Sequence, residues 1–296
     1  MAENTVKKIA TRESYGNSLK ELAEEFPNLV VLDADLAAAT KTGIFRKAYP
    51  DRHIDCGIAE SNMMGVAAGL SLVGKIPFVS SFAMFAAGRA FEQVRNSIGY
   101  PHLNVKIGAT HAGITVGEDG ATHQCNEDIA LMRTIPGMVV MCPSDDVEAR
   151  AAVRAALEYE GPVYIRFGRA AVPVINDHPG YHFEIGKGTV VREGKDVTIV
   201  ATGICVDSAL GAAKMLEEEG ISAEVVNICT IKPLDEEIII NSAKKTGKVV
   251  TVEEHSVIGG LGSAVCDCLC ANHPVPVKKV GMQDVFGESG SAAALV

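Results

Sequence analysis

The segment 109–124, ATHAGITVGEDGATHQ, carries a dense group of side chains that could do chemistry. Imidazoles and carboxylates can exchange protons and hydrogen-bond a polar ligand near neutral pH. A loop of this length lies at the surface and is costly to order, so packing alone does not account for its composition. The segment predicts a functional loop with two histidines, two acids and three glycines: His111, His123, Glu118, Asp119, Gly113, Gly117 and Gly120.

A carboxylate and a pair of aromatic rings are two further candidates. Glu60 stands at the start of an apolar helical pattern, where it is either an acid on the favourable end of the helix dipole or a functional group. Phe82 and Phe85 directly follow a predicted strand. They either pack in the core or form a stacking platform for a flat heterocycle.

The segment RFGR adds two guanidinium groups, Arg166 and Arg169, after another predicted strand. Arg166 is a candidate ion-pair partner, and Arg169 can clamp a phosphate or a carboxylate bidentately. Open α/β sheets place their ligand sites where strands give way to loops. We therefore expect the candidate groups to lie at one edge of a sheet.

The elements that must position these groups are short, continuous apolar runs that alternate with helical patterns. Runs such as 29–32, 76–79 and 163–165 are typical of strands buried on both faces. Between them, residues 60–73 have apolar side chains at helical spacing and end at Gly74. The alternation predicts an α/β fold with a parallel, doubly wound sheet.

The alternation lapses after Arg169, where prolines and glycines mark a linker. A second α/β unit follows, with apolar runs at 197–201 and 223–228 that predict further strands. The sequence therefore predicts two doubly wound α/β domains, a first at 5–172 and a smaller second at 186–296.

The composition excludes several other classes of protein. The chain has 296 residues, 47% hydrophobic and 22% charged, and its formal net charge of −10 argues against binding to nucleic acid. Its eight cysteines contain no C-x-x-C pair. They are predicted to be buried free thiols, with no metal site in this chain. Because no apolar stretch is long enough for a membrane span or resembles a secretory leader, we expect no membrane association and a cytoplasmic location.

Four segments together resemble the C-terminal half of transketolase, in the form in which two shorter chains replace one long chain. They are GIAE at 57–60, SFAMF at 81–85, the segment 109–124, and IRFGR at 165–169, in the family's order and at its spacing. The resemblance covers nearly the whole chain. It implies that the first domain is the pyrimidine-binding domain of a thiamine diphosphate enzyme and that the second is the transketolase C-terminal domain.

The resemblance assigns cofactor contacts to four residues. Glu60 would hydrogen-bond N1′ of the aminopyrimidine and so support removal of the thiazolium C2 proton. Phe82 and Phe85 would stack on the aminopyrimidine or line its pocket. Asp35 matches an acid that lies near the cofactor in the family.

The resemblance also assigns substrate contacts. Asp119 would bind a sugar hydroxyl, and His111 and His123 would act as catalytic residues that contact the substrate and its developing charge. Arg12 and Arg169 would bind the substrate phosphate.

The chain departs from the family pattern at two positions. Where the family often has a phosphate-binding serine, the chain has Ala39, so either Thr40 or Lys41 substitutes for it or the preferred acceptor is not a standard sugar phosphate. Where many members have a third aromatic residue, the chain has Gly88. This change leaves the pyrimidine pocket more open or filled by another group.

The chain lacks the GDG motif with which the family holds the cofactor's diphosphate and its Mg²⁺. A hard cation such as Mg²⁺ or Ca²⁺ needs oxygen ligands besides the phosphates. The resemblance therefore implies a partner, the N-terminal diphosphate-binding subunit, which holds the metal. We expect an α2β2 assembly in which each active site forms between the two kinds of chain.

The leading interpretation is a transketolase subunit that helps to move a two-carbon ketol unit from a ketose phosphate to an aldose phosphate, as in the pentose phosphate pathway. The alternatives are the β subunit of a 2-oxoacid dehydrogenase, an enzyme similar to deoxyxylulose-phosphate synthase, and a non-catalytic regulatory subunit. The polar segment with His111, Asp119 and His123 favours transketolase, because a sugar hydroxyl needs polar contacts that acyl transfer to a lipoyl arm does not.

Overall fold

The first half of the chain alternates short buried strands with helices, as its continuous apolar runs predict. The computed structural model describes residues 7–296, so positions 5 and 6 of the predicted first domain lie outside it. The strands are Lys8–Ala10 (β1), Leu29–Asp33 (β2), His53–Asp55 (β3), Ile76–Phe82 (β4), Lys106–Thr110 (β5), Val139–Met141 (β6), Val163–Arg166 (β7) and Ala171–Pro173 (β8). The α-helices are Thr11–Leu22 (α1), Ala37–Thr40 (α2), Gly43–Ala48 (α3), Glu60–Leu72 (α4), Phe91–Gln93 (α5), Asp128–Arg133 (α6) and Asp146–Glu158 (α7).

The second half repeats the alternation in a smaller unit. Its strands are Thr189–Arg192 (β9), Val197–Ala201 (β10), Ala223–Asn227 (β11), Thr230–Lys232 (β12), Val249–Ser256 (β13) and Val277–Met282 (β14). Its helices are Cys205–Glu218 (α8), Glu236–Thr246 (α9), Leu261–Asn272 (α10) and Ala292–Leu295 (α11). Within residues 7–296, no helix is both long enough and apolar enough to cross a membrane.

The sheet of the first half has seven strands in the order β12-β6-β7-β5-β4-β2-β3. All pairs among β6, β7, β5, β4, β2 and β3 are parallel, which confirms the predicted doubly wound arrangement. Because the strands are parallel, the segments that follow them leave from one edge of the sheet. That edge carries the polar segments singled out in the sequence.

The sheet of the second half has five strands in the order β14-β13-β10-β11-β9. The pairs of β10 with β11 and β13, and of β13 with β14, are parallel, whereas β9 runs antiparallel to β11. The core between this sheet and α8 includes Ile199, Val206, Ala213 and Val225, all of which are buried. A second doubly wound α/β unit is therefore confirmed.

One strand of the second half belongs to the sheet of the first. Strand β12 pairs antiparallel with β6, so that Thr230 faces Met141 in the register. The amide of Cys142 also donates to the carbonyl of Cys229 at 2.8 Å. The division of the chain at about residue 180 therefore separates the two sheets incompletely, and the first sheet has an antiparallel edge that the sequence did not predict.

The cysteine side chains differ in exposure. Five of them, Cys125, Cys142, Cys205, Cys229 and Cys268, are buried free thiols as predicted. The prediction is wrong for the other three, because Cys56 and Cys266 are half-buried and Cys270 is exposed. Cys266 and Cys270 lie on the same face of α10, because residues four apart in a helix are neighbours on its surface. Cys268, two residues from each, lies on the opposite face.

Candidate active site

Glu60 is a buried carboxylate at the first position of α4, with 2% of its surface exposed. A carboxylate in the first turn is stabilised by the helix dipole. Its Oε1 accepts a hydrogen bond from the Ser81 hydroxyl at 3.3 Å, and its Oε2 lies 3.2 Å from a guanidinium nitrogen of Arg89. Arg89 is the last residue of a π-helical turn, Met84–Arg89, and 54% of its side chain is exposed. One oxygen of the Glu60 carboxylate is thus bound by a buried side chain and the other by a partly exposed one.

Four rings form a continuous aromatic group beside this carboxylate. The rings of Phe82 and Phe85 stack with centroids 6.1 Å apart, and Phe82 also stacks on the imidazole of His111 at 3.9 Å. The His123 imidazole lies edge-on to Phe85 at 5.4 Å. The guanidinium of Arg89 covers the Phe85 ring at 4.8 Å. The aromatic pair therefore connects the carboxylate to both histidines.

A cavity of about 480 Å³ opens at this point. Four of the residues predicted from the sequence line it, namely Asp35, Glu60, Phe85 and His123. The other lining residues are Ala34, Leu36, Ile58, Arg89 and Thr122. A small organic ligand fits a cavity of this volume.

His111 lies behind Phe82 and is held between two polar partners. Its Nε2 is 2.8 Å from the Arg12 guanidinium and its Nδ1 is 2.8 Å from the Thr110 hydroxyl. Because a guanidinium only donates, Nε2 accepts from Arg12 and the ring proton lies on Nδ1. Burial is the main cause that lowers the pKa of His111, and together with the charges of Arg12, Arg169 and Lys41 it brings the value to about 3. His111 is therefore neutral at pH 7.

Arg12, in the first turn of α1, is oriented by the Ala39 carbonyl, to which it donates at 2.9 Å. Its Nε is buried without a hydrogen-bond partner. Burial lowers the pKa of Arg12, and the nearby charge of Arg169 adds to this effect. An anion placed between the two guanidinium groups would satisfy the Nε donor and relieve their repulsion.

The polar loop, residues 111–124, is the segment that carries the remaining candidates. Arg169 donates to the carbonyl of Val116 and lies 3.3 Å from the Glu118 carboxylate, so part of this guanidinium is engaged by the loop. Asp119 is exposed at the end of the short helix Ile114–Asp119 and is not among the residues that line the cavity around Glu60.

Asp35 lies at the cavity wall in the left-handed conformation, with φ of 60°. Its amide donates to the Asp55 carboxylate at 3.1 Å. Of the nine site residues predicted from the sequence, the structure thus connects seven through direct contacts or a shared cavity: Arg12, Asp35, Glu60, Phe82, Phe85, His111 and His123. Arg169 lies close enough for its charge to lower the pKa values of Arg12 and His111. Asp119 stands apart on the polar loop.

The structure shows the surroundings of both positions at which the chain departs from the family pattern. Thr40 is fully buried and donates to the Asp33 carboxylate at 2.8 Å, so it is unavailable to a substrate and the expectation that it replaces the missing serine is wrong. Lys41 is half-buried and remains a candidate. The space at Gly88 is filled, since a Cβ there would come within 2.5 Å of the Met84 methyl group.

Sequence reasoning missed Ser81 and Arg89, the two partners of Glu60. It also missed the extent of the ion pair of Arg166, which is buried together with Asp128 at 3.0 Å. The Arg166 guanidinium donates as well to the carbonyl of Glu254 at 2.7 Å, and so joins the two halves of the chain. Arg89 follows SFAMF by only a few residues, so its position was the one available signal.

The residues present fit one end of thiamine diphosphate. A buried carboxylate next to the ring of Phe85, at a cavity of about 480 Å³, suits a flat heterocycle that carries hydrogen-bonding nitrogens. No group of three or more His, Cys, Asp or Glu side chains within residues 7–296 is arranged to hold a metal ion. The fit of the Glu60 cavity is to the aminopyrimidine end of the cofactor.

Comparisons with known proteins agree with the fit to an aminopyrimidine. Residues 7–174 match the family model "Transketolase, pyrimidine binding domain", and residues 186–296 match "Transketolase, C-terminal domain". A 6-deoxy-6-sulfo-D-fructose transketolase subunit of Clostridium sp. (strain MSTE9) is 50% identical, covering 94% of this chain and 86% of its own length. An apulose-4-phosphate transketolase subunit of Phocaeicola vulgatus is 41% identical, covering 93% of this chain and 88% of its own.

A solved structure described as a split gene transketolase, inactive beta4 tetramer, is also similar. It is 59% identical, with a TM-score of 0.89, and the match covers 98% of this chain and 93% of the other. The same two domains, in the same order, thus occur in relatives that are subunits and not whole enzymes. The chain belongs to the transketolase family of thiamine diphosphate enzymes and is of the split-subunit type.

Proposed function

We propose that this chain and a diphosphate-binding partner subunit together transfer a two-carbon ketol unit from a ketose phosphate to an aldose phosphate. The observation that carries the proposal is an unbroken series of contacts. It runs from Glu60 through Arg89, Phe85 and Phe82 to His111 and Arg12. One end of the series suits an aminopyrimidine and the other suits an anion. A substrate with a reacting carbonyl and a distant phosphate needs both ends.

Glu60, Phe82, Phe85 and Asp35 form the cofactor end in this proposal. When bound, thiamine diphosphate supplies the electron sink that lets a carbon–carbon bond beside a carbonyl break and re-form. The Glu60 carboxylate holds or shares a proton at the pyrimidine nitrogen, and the Ser81 hydroxyl orients its Oε1. Phe82 and Phe85 hold the heterocycle flat and exclude water from it.

His111, His123, Asp119, Arg12 and Arg169 form the substrate end. His111, which is neutral, and His123 contact the substrate oxygens and their developing charge. Asp119 accepts a hydrogen bond from a sugar hydroxyl. Arg12 and Arg169 bind the phosphate, for which the unpartnered Nε of Arg12 is one ready donor.

The sugar itself is a separate part of the proposal. The relatives named above are a sulfofructose transketolase subunit and an apulose-phosphate transketolase subunit, so substrates vary within this group. We propose a standard ketose phosphate and aldose phosphate, as in the pentose phosphate pathway, because two guanidinium groups suit a doubly charged phosphate.

The partner is proposed to be an N-terminal transketolase subunit that holds the diphosphate and Mg²⁺ or Ca²⁺, in an α2β2 assembly. The lack of a GDG motif in the sequence supports a second chain at the site. So does the similar split-gene transketolase structure, which is described as an inactive tetramer of β chains. We further propose 5–172 and 186–296 as the limits of the two domains, and a cytoplasmic location.

The test is calorimetry of thiamine diphosphate with Mg²⁺, first against this chain alone and then against its mixture with the candidate partner. We expect tight binding only in the mixture, together with ketol transfer between sugar phosphates. Tight binding to this chain alone would contradict the assignment of the diphosphate end to a partner. A mixture that binds the cofactor but transfers no ketol unit would favour the regulatory alternative.

A further inference from the structure

The last part of the second domain lies directly on the polar loop of the first. The Ser289 hydroxyl donates to the carbonyl of Glu118 at 2.7 Å, and the Gln124 side-chain amide donates to the carbonyl of Glu288 at 2.8 Å. We define Gly287–Leu295, which includes the short helix α11, as the C-terminal segment. It contacts both ends of the part of the loop that carries Asp119 and His123.

The two segments approach each other closely at two glycines. A Cβ at Gly287 would collide with the Gln124 amide oxygen, so a larger residue there would displace the Gln124 side chain, whose amide now donates to the Glu288 carbonyl. On the loop, Gly120 has a φ of +71°, and a Cβ there would come within 3.3 Å of the Ser289 side chain. The backbone conformation of Gly120 therefore favours glycine on the loop side of this contact.

The Ser289 hydrogen bond acts on the peptide group that joins Glu118 to Asp119. A bond to this carbonyl fixes the plane of the peptide and hence the direction in which Asp119 leaves the backbone. Asp119 and Glu118 are exposed, so solvent competes for this part of the loop. The Gly120 amide also donates to the Gly117 carbonyl at 3.1 Å and closes the turn that contains Glu118 and Asp119, so the Ser289 hydrogen bond adds to a turn that the loop itself forms.

A second contact from the same domain holds the beginning of the loop. The Glu254 carboxylate accepts a hydrogen bond from the Thr115 amide at 2.7 Å. Glu254 and Thr115 are both buried, whereas Ser289 acts at the exposed part of the loop. The second domain thus anchors the loop at a buried point and at an exposed point.

We infer that the C-terminal segment holds the polar loop in its substrate-binding conformation and that Ser289 is the positioning residue for Asp119. This inference rests on the proposed function for the identity of the substrate. It gives the second domain a direct effect on substrate affinity, although that domain contributes none of the residues at the Glu60 cavity.

The test compares Ser289→Ala with Ser291→Ala in the full chain. Ser291 is the matched control, because it is exposed and its side chain does not cap α11. A protease that cuts after glutamate measures loop opening as the rate of cleavage after Glu118, whose side chain is 68% exposed. Since Ser289→Ala removes one hydrogen bond, we expect about three- to tenfold faster cleavage, and no change with Ser291→Ala.

The same variants are then assayed in the complex with the partner subunit. With Ser289→Ala we expect KM for the sugar phosphate to rise about three- to tenfold, because a looser loop must be ordered on binding, with kcat within about twofold. The Kd of thiamine diphosphate stays unchanged.

Cleavage of Ser289→Ala at the wild-type rate would overturn the inference. An equal loss of substrate and cofactor affinity would overturn it too, because the whole site would then have changed. If the wild-type complex transfers no ketol unit, the proposed function fails, while the cleavage rate still decides whether Ser289 holds the loop.

Discussion

Two pairs of a buried carboxylate with an arginine, Glu60–Arg89 and Asp128–Arg166, are built differently. In the first pair Arg89 is 54% exposed, and the carboxylate lines a cavity. In the second pair both side chains are buried, with exposed fractions of 0% for Asp128 and 5% for Arg166. The Tyr164 hydroxyl also donates to Asp128 at 2.8 Å.

The difference shows what separates an ion pair that can bind a ligand from one that only stabilises the fold. Asp128 and Arg166 make their hydrogen bonds to other groups of the protein. Removing either one would therefore leave an unpaired charge in the core. Glu60 keeps a partner that can move into solvent, so a ligand can replace Arg89 at small cost. Burial of the carboxylate is common to both pairs, and the freedom of the arginine distinguishes them.

The largest effect is expected from Glu60→Gln, which keeps the shape of the side chain but removes its proton exchange. We predict a fall in kcat of about 10³-fold in the reconstituted complex, within the range for loss of a general acid–base group. Glu24→Gln, at an exposed position, is the control. Turnover of Glu60→Gln close to that of the wild type would show that the Glu60 carboxylate is not catalytic.

Arg166→Met is expected to act on stability instead. Because it leaves Asp128 charged and buried, it should lower the free energy of unfolding by about 3–5 kcal/mol. Arg154→Met removes an exposed pair with Glu25 and should cost no more than about 1 kcal/mol. Both are measured by urea denaturation. Similar losses for the two variants would remove the distinction between the buried and exposed pairs.

His111→Gln tests the substrate end through pH. Wild-type His111 has its pKa lowered to about 3, so below pH 6.5 the unfolded chain binds a proton that the folded chain does not. This difference should cost the wild type about 2 kcal/mol of stability at pH 5 relative to pH 8. We predict that His111→Gln loses less stability than the wild type over that range, whereas exposed His182→Gln follows the wild type. Parallel curves for all three proteins would show that His111 is protonated when folded.

The smallest effect is expected from Arg89→Met. Because the Arg89 guanidinium is about half exposed, water can replace most of its interaction with Glu60. The free energy of unfolding should therefore fall by less than about 1 kcal/mol. The measurement is the same denaturation experiment as for Arg166→Met. A loss as large as that of Arg166→Met would mean that the Glu60 pair is also structural and that the comparison fails.

Local patterns predicted the elements well because their signals are contained in neighbouring residues. The helix predicted from Glu60 ends within one residue of the observed α4, and the apolar run 29–32 lies within β2. The strand β12 was missed because three residues carry little periodicity, and its partner β6 is almost a hundred positions away.

The site was predictable as a list of residues but not as an arrangement. Arg89 reaches Glu60 through a π-helical turn, which no apolar period signals. Thr40 was one of the alternatives for a substrate contact in place of the missing serine, but its hydroxyl is bonded to the carboxylate of Asp33, seven positions earlier. Such pairings depend on which side of the backbone faces the core, and short polar runs do not reveal that.

Strand β12 has a consequence for how this protein can be divided. A break in the linker near residue 180 would remove β12 from β6 and leave an unpaired edge on the first sheet, where Thr230 and Met141 now meet. Unpaired edges promote association between chains. The first domain is therefore expected to depend on β12 of the second for a covered sheet edge when the two are expressed separately.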